Sequence, residues 1–130
     1  MPEKNRVLVV DDESDAREIL DETLTQFGAE VRTAASTSEG IDVFQHWRPD
    51  VLVADIGMPL EDGYELIRRV RALEQRQDRM IPAVAVTAYA QRDDRARALS
   101  AGYNEHLAKP VDPRHLAAVV EALVGNVTRP

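Results

Sequence analysis

Five polar side chains stand directly after short segments that are rich in apolar residues, and their types suit one kind of chemistry. The runs "VLVV", "VLVA" and "AVAV" are followed by Asp11 and Asp12, by Asp55 and by Thr87, and Lys109 follows a fourth such segment. Carboxylates that converge repel one another, which raises their pKa values unless a cation neutralises them. Mg²⁺ prefers oxygen ligands, while a lysine and a hydroxyl suit the oxygens of a phosphoryl group. The set therefore predicts a site for phosphoryl transfer assisted by Mg²⁺.

Asp55 is the candidate nucleophile of this site, because it stands alone at the end of an apolar run. A carboxylate can itself accept a phosphoryl group and become an aspartyl phosphate. The loop "GMPLEDG" follows, and its first residue, Gly57, allows close approach of the backbone, whose carbonyl can face a metal. At the end of the loop, Asp62 and Gly63 turn the chain into a helix.

The elements that must position these residues alternate along the chain. Short runs rich in Val and Ala predict strands that are buried on both faces. The predicted strands are 7–10, 30–34, 51–54, 83–86 and about 105–108. Apolar residues at helical spacing predict five helices: one from an N-cap at Ser14 to a C′ glycine at Gly28, one ending before Pro49 and weakened by Gly40, one around 66–73, one over about 91–101, and one with Pro113 near its first turn. The polar segment "EQRQDR", Glu74 to Arg79, is expected to be an exposed loop.

Five β-α repeats predict a single α/β domain over residues 1–130 whose parallel sheet is covered by helices on both faces. In such a doubly wound sheet the carboxyl ends of the strands line the ligand crevice, where all five polar residues fall. The 130 residues contain no Cys, which excludes disulfides and thiol chemistry. Their net charge of −7 argues against a broad surface for nucleic acid or anionic membrane. No apolar stretch approaches the length of a membrane span, so a cytoplasmic protein or an excised module is expected.

The motifs "VLVVDDE", "DIGMPLEDGYELIRRVR", "VTAYA" and "KPVDP" resemble the receiver domain of two-component response regulators, over about residues 6–124. The wording "DIGMP" with "HLAKPVDP" is more similar to receivers of hybrid histidine kinases than to those of DNA-binding regulators. The resemblance implies a flavodoxin-like fold with strand order 2-1-3-4-5. It also implies phosphotransfer from a histidine kinase or a histidine phosphotransferase, without direct contact to nucleic acid or membrane.

The resemblance implies a role for each polar residue of the rim. Asp55 is expected to be the phosphoacceptor. Asp12, Asp55 and the carbonyl of Gly57 are expected to bind Mg²⁺, with Asp11 acting mostly through a water on the metal. Lys109 would pair with the phosphoryl group, and its peptide bond to Pro110 is expected to be cis.

A switch is implied as well. Thr87 would bond the phosphoryl oxygen and turn toward it, and His106 would follow from the position that often holds Tyr or Phe in this family. The bland alternative for His106 is a half-buried histidine at a strand end. Gly57 and Tyr89 would set how easily water reaches the aspartyl phosphate, although Tyr89 as a surface aromatic is an equal alternative. The responding surface would be helix 4, strand 5 and helix 5, which could also support a weak homodimer.

Three other functions are considered. A true phosphohydrolase with an Asp nucleophile usually has a second Asp two residues later, and Gly57 stands there instead. A dinucleotide-binding domain needs a glycine-rich turn after its first strand, where this chain has "DDESDA". A pseudo-receiver that only binds partners stays open, although Asp12, Asp55, Thr87 and Lys109 are all present. The expectation is therefore a phosphorylation switch and not a turnover enzyme.

Overall fold

A computed structural model describes residues 5–57, 62–77, 80–88 and 92–125 of the chain. Strands and helices alternate through this part of the chain. In order they are β1 Arg6–Val10, α1 Ser14–Gln26, β2 Glu30–Ala34, α2 Thr37–Trp47, β3 Val51–Asp55, α3 Gly63–Gln77, β4 Ala83–Thr87, α4 Arg92–Ala101, β5 Glu105–Ala108 and α5 Pro113–Gly125. All four strand pairs are parallel and the sheet order is β2-β1-β3-β4-β5, which confirms the predicted fold.

The sheet is buried on both faces because its strands are apolar at successive positions. Along β1, Leu8 and Val10 join a cluster with side chains of α2, α3 and α4, while Val7 and Val9 join a second cluster with α1 and α5. Every residue of β3 and β4 is buried. The apolar runs therefore place the ends of the central strands at a fixed level of the sheet, where polar residues begin. No helix within the described ranges is long and apolar enough to cross a membrane.

For α1 the prediction of the C-terminal end is confirmed and that of the N-cap is not. The N-cap is Glu13, which makes no hydrogen bond through its side chain, so the prediction of Ser14 as the cap is wrong; Ser14 is the first helical residue. Gly28 has a φ of +94° just after the C-cap, as its predicted C′ position requires. Glycine is favoured there because this left-handed backbone strains other residues.

The predicted loop after residue 73 is wrong over its first part, because α3 continues through Gln77. Glu74 is only 5% exposed and its carboxylate accepts from Arg71 at 2.6 Å and from the backbone N–H of Ile81 at 2.6 Å. A local reading of "EQRQDR" misses this burial because the partners of Glu74 lie outside the segment. Residues 78–79 of that prediction lie outside the described part of the chain.

Candidate functional site

The parallel strands bring the polar residues to one edge of the sheet. β1 ends at Val10, and Asp11 and Asp12 follow it. Asp55 and Thr87 are the last residues of β3 and β4, and the register pairs Thr87 with Ala108, directly before Lys109. The sequence therefore assembles the rim through strand length and register.

Three carboxylates form the acidic centre of this rim. One oxygen from each of Asp11, Asp12 and Asp55 lies within 4.8 Å of the others. Asp11 and Asp55 are buried, and Asp12 is exposed. The Nζ of Lys109 lies 3.3 Å from Oδ2 of Asp11 and 3.3 Å from Oδ2 of Asp55. Lys109 thus bridges the two buried carboxylates, while Asp12 faces solvent beside them.

The backbone fixes the other oxygen of each buried carboxylate. Oδ1 of Asp11 accepts from the N–H of Glu13 at 2.9 Å, and Oδ1 of Asp55 accepts from the N–H of Gly57 at 2.9 Å. Hydrogen bonds of this kind hold a side chain in one orientation. Both Oδ2 atoms are consequently turned toward the same space and toward Lys109.

Burial and neighbouring charges shift the pKa values of Asp11 and Lys109. Burial raises the pKa of Asp11 above its model-peptide value of 3.8, and the Asp55 carboxylate raises it further, against the Glu13 N–H and Lys109, which lower it. Burial alone lowers the pKa of Lys109, but the Asp11 and Asp55 carboxylates outweigh it and raise that pKa above 10.5. Lys109 is therefore charged at neutral pH. Its one positive charge balances only one of the two buried carboxylates, Asp11 and Asp55.

An open cleft of about 640 Å³ adjoins this centre. Its polar side includes Asp12, Asp55, Thr87 and Lys109, and its other wall is apolar. That wall is made by Ala16, Ile19 and Leu20 of α1 with Pro110 and Val111. A ligand that enters can therefore meet Lys109 and the carboxylates on one side and the apolar surface of α1 on the other.

Two of the remaining predicted positions lie within the described residues. His106 is 8% exposed within β5, and its backbone N–H donates to the carboxylate of Glu105 at 3.1 Å. Gly57 is exposed, and among the described residues a Cβ on it would meet only Oδ1 of Asp55, at 3.7 Å. Tyr89 lies outside the described residues. The Lys109–Pro110 peptide bond is cis.

Two contacts next to Asp55 were not predicted from the sequence. Gly63 packs so tightly that a Cβ on it would lie 2.8 Å from the carbonyl oxygen of Asp55. The hydroxyl of Tyr103 donates to the Gly63 carbonyl at 2.7 Å. The dipeptide "DG" signalled the turn, and Asp62 does cap α3 by accepting from the N–H of Tyr64 at 3.1 Å. No local signal pointed to Tyr103, which is forty residues away along the chain.

Comparison with known proteins gives one consistent family. The sequence model "Response regulator receiver domain" matches residues 7–121. A 14.6 kDa protein encoded in the sodA1 3′ region of Leptolyngbya boryana is 44% identical over 115 residues, which are 88% of this chain and 86% of that protein. The transcriptional regulatory protein PrrA of Mycobacterium tuberculosis is 39% identical over 119 residues, 92% of this chain but only 49% of PrrA. The chain thus spans about half the length of several curated relatives.

Solved structures share the fold over nearly the full chain. A putative response regulator from Chloroflexus aurantiacus superposes with a TM-score of 0.87 at 32% identity, covering 95% of this chain and all of the other. The chemotaxis protein CheY4 of Vibrio cholerae gives a TM-score of 0.86 at 29% identity, covering 93% of this chain and 99% of CheY4.

Proposed function

Because the chain belongs to the receiver-domain family of response regulators, we propose that it is a phosphorylation-controlled switch whose phosphoacceptor is Asp55. The observation that carries this proposal is the arrangement of Asp55 with Asp11, Asp12 and Lys109. Their oxygens lie within 4.8 Å of one another, and one ammonium contacts two of them at 3.3 Å. Phosphoryl transfer depends on such positioning and charge neutralisation more than on covalent chemistry by the protein.

In the proposed reaction a carboxylate oxygen of Asp55 attacks the phosphorus of a phosphohistidine on a kinase or a histidine phosphotransferase. The P–N bond breaks, its electron pair goes to the imidazole nitrogen, and Asp55 becomes an acyl phosphate. The Gly57 N–H holds Oδ1 of Asp55 at 2.9 Å, which leaves Oδ2 on the side of Lys109. Lys109 then pairs with the phosphoryl oxygens, as a mobile ammonium does well.

The donor set of the site fits Mg²⁺, the metal that receiver domains bind at an acidic pocket. Asp11, Asp12 and Asp55 supply hard oxygen ligands on one side of the cleft. In our proposal Asp12, Asp55 and the Gly57 carbonyl bind the ion directly, and Asp11 acts through a water. When bound, Mg²⁺ supplies positive charge that neutralises the phosphoryl oxygens. The exposure of Asp12 supports its assignment as a direct ligand, because it leaves that carboxylate accessible from the cleft.

We propose that the switch then runs through Thr87 and His106. Thr87 is 4% exposed at the end of β4 beside Asp55, so a small rotation of its side chain can reach a phosphoryl group there. His106, one strand further and 8% exposed, would fill the space behind it. The result would be a population shift of the surface made by α4, β5 and α5. The same surface is our candidate for a weak homodimer.

Several broader assignments belong to the same proposal. We propose that residues 1–130 form one receiver domain with a core of about 6–124, that it acts in the cytoplasm, and that it contacts no nucleic acid itself. We also propose a place in a phosphorelay, on the resemblance of "DIGMP" and "HLAKPVDP" to receivers of hybrid kinases. The alternative is a pseudo-receiver that binds its partners without phosphorylation. A phosphohydrolase is disfavoured because Gly57 stands where a second Asp would be needed.

The decisive experiment uses acetyl phosphate, Mg²⁺ and intact-mass measurement. The wild type is expected to gain the mass of one phosphoryl group, and no gain is expected when EDTA is present in the reaction. Asp55→Asn should abolish the gain, whereas Asp112→Asn should not, because Asp112 makes its hydrogen bond to the Arg114 N–H at the start of α5 and lies outside the acidic centre. An unmodified wild type would refute the proposal and favour the pseudo-receiver. Modification that survives Asp55→Asn would refute the assignment of Asp55 as the phosphoacceptor.

The lifetime of the phosphoryl group tests the proposed roles of Gly57 and Tyr89. Among the described residues only Oδ1 of Asp55 lies within 4 Å of a Cβ placed on Gly57, and the glycine itself adds no side chain that would block an attacking water. We propose that Tyr89 limits this access, so Tyr89→Ala should change the rate of dephosphorylation. An unchanged rate would remove Tyr89 from the site.

A further inference from the structure

Tyr103 lies between α4 and β5 and reaches the start of α3 with its hydroxyl. The residue is 3% exposed, and its O–H donates to the carbonyl of Gly63 at 2.7 Å. Burial raises the pKa of the Tyr103 hydroxyl far above its usual value, with a smaller contribution from Asp62. The hydroxyl therefore keeps its proton at any ordinary pH and is a permanent donor to Gly63.

Gly63 in turn packs directly against the backbone of Asp55 and Ile56. Its N–H donates to the carbonyl of Ile56 at 3.1 Å. A Cβ at this position would lie 2.7 Å from Cα of Ile56 and 2.8 Å from the carbonyl oxygen of Asp55, so the glycine is in direct contact with the peptide that follows Asp55. A displacement of Gly63 must move that peptide, since close-packed interiors transmit small shifts.

The connection that carries Tyr103 is itself held firmly. Arg71 of α3 donates to the Gly102 carbonyl at 2.8 Å and to the side chain of Asn104 at 3.0 Å, on either side of Tyr103. Arg97 of α4 stacks over the ring of Tyr64, with its guanidinium carbon 4.4 Å from the ring centroid. The Tyr103 hydroxyl therefore binds the Gly63 carbonyl from a firmly held position. Its ring packs in the same apolar cluster as residues of α3 and α4.

We propose that Tyr103 is a positioning residue for phosphotransfer, which acts through the Gly63 carbonyl to fix the backbone that carries Asp55. The inference rests on the proposed function of Asp55. It adds a connection between α4 and the acceptor that is separate from the one through Thr87 and His106, because it reaches Asp55 from the side of α3.

Tyr103→Phe removes only the hydroxyl and keeps the ring. Because this hydrogen bond would fix the backbone that carries Asp55, up to its full free energy, a factor of about two to ten, can be lost from the rate of phosphotransfer. The variant is therefore expected to be phosphorylated about two- to tenfold more slowly by acetyl phosphate, with the change in the rate constant and not in the Mg²⁺ concentration for half-maximal rate. That split separates a shifted acceptor from a damaged metal site.

Val70→Ala is the matched control, because Val70 is fully buried on α3 and its loss weakens the same core without touching Gly63. Both variants are compared by urea unfolding, and if Tyr103→Phe is partly unfolded all proteins are assayed in sucrose, which favours the compact state. The proposal is supported if Tyr103→Phe is slowed and Val70→Ala stays within about twofold of wild type. It is overturned if Tyr103→Phe matches wild type or if the control is slowed equally.

These outcomes separate the inference from the proposed function. If the wild type gains phosphate and Asp55→Asn does not, an unaltered rate in Tyr103→Phe removes only the role of Tyr103. If the wild type gains none, the proposed function fails and the positioning role fails with it.

Discussion

We expect that removing the side chain of Arg71 strongly destabilises the fold. The Arg71 side chain is 15% exposed and donates from all three guanidinium nitrogens. Nη1 reaches the carboxylate of Glu74 at 2.6 Å and the carbonyl of Ile81 at 2.7 Å, while Nε and Nη2 reach the carbonyl of Gly102 at 3.0 and 2.8 Å. Nη2 also contacts Asn104 at 3.0 Å. One residue thereby joins α3 to the start of β4 and to the turn before β5.

Arg71→Met keeps an unbranched side chain and removes the charge. The Glu74 carboxylate, whose side chain is 4% exposed, would then be a buried charge without its partner. Removing one member of such a pair costs about 3–5 kcal/mol, a large part of the 5–15 kcal/mol that stabilises an ordinary domain. The expected result is a loss of about 3 kcal/mol or more in the free energy of unfolding.

Urea unfolding followed by circular dichroism measures this difference, and α3 offers its own control. Arg68 pairs with Glu65 at the same i, i+3 spacing and 3.3 Å, but the two side chains are 63% and 43% exposed. Arg68→Met should therefore cost no more than about 1 kcal/mol. The double variant Arg71→Met/Glu74→Leu should recover part of the loss, since no buried charge remains. The reasoning is refuted if Arg71→Met and Arg68→Met lose equal stability.

Three further predictions concern the site. In EDTA at pH 7, Asp11→Asn should stabilise the fold by roughly 1 kcal/mol, because it removes a buried like charge; the raised pKa of Asp11 means that this gain shrinks as pH falls through that pKa, which urea titrations at several pH values will show. Gly63→Ala should lower the stability measured by thermal unfolding by about 1–3 kcal/mol, whereas Gly125→Ala, whose Cβ would meet no described residue within 4 Å, should not. If His106 protonation biases the switch, NMR shifts of α4 on phosphorylation should differ between pH 6 and pH 8 in wild type but not in His106→Phe.

The fold could be predicted because its signals are local. Runs of four apolar residues define strands buried on both faces, and each is separated from the next by a helical repeat, so the parallel order follows. The starts of α4 and α5 also agree with the sequence, since Arg92 lies one residue from the predicted start of α4 and Pro113 begins α5, as its fixed φ favours. The N-cap prediction for α1 failed although Ser is a preferred capping residue. The N–H of Glu13 donates to Oδ1 of Asp11 at 2.9 Å and its carbonyl accepts from the N–H of Arg17 at 3.0 Å, so a contact at the rim sets where the helix begins.

The rim of the site could also be predicted, because its residues follow the strands directly. What could not be predicted are contacts between distant side chains. Glu74 looks like part of a polar surface until Arg71 and the Ile81 N–H are placed beside it. The hydroxyl of Tyr103 meets Gly63 only because the turn after α4 packs under α3. Such contacts depend on the angles between helices, which hydrophobic periodicity does not encode.

The charges at the rim explain why a divalent cation and a mobile lysine belong together there. Three carboxylates and the Lys109 ammonium leave two formal negative charges, which one Mg²⁺ balances. A phosphoryl group on Asp55 adds negative charge beyond that balance. Lys109 already contacts Asp11 and Asp55 at equal distances of 3.3 Å, so it can follow the new charge without crossing the cleft. Its departure from Asp11 would leave a buried carboxylate that depends more strongly on a bound metal, so under the proposed function phosphorylation and cation binding would reinforce each other.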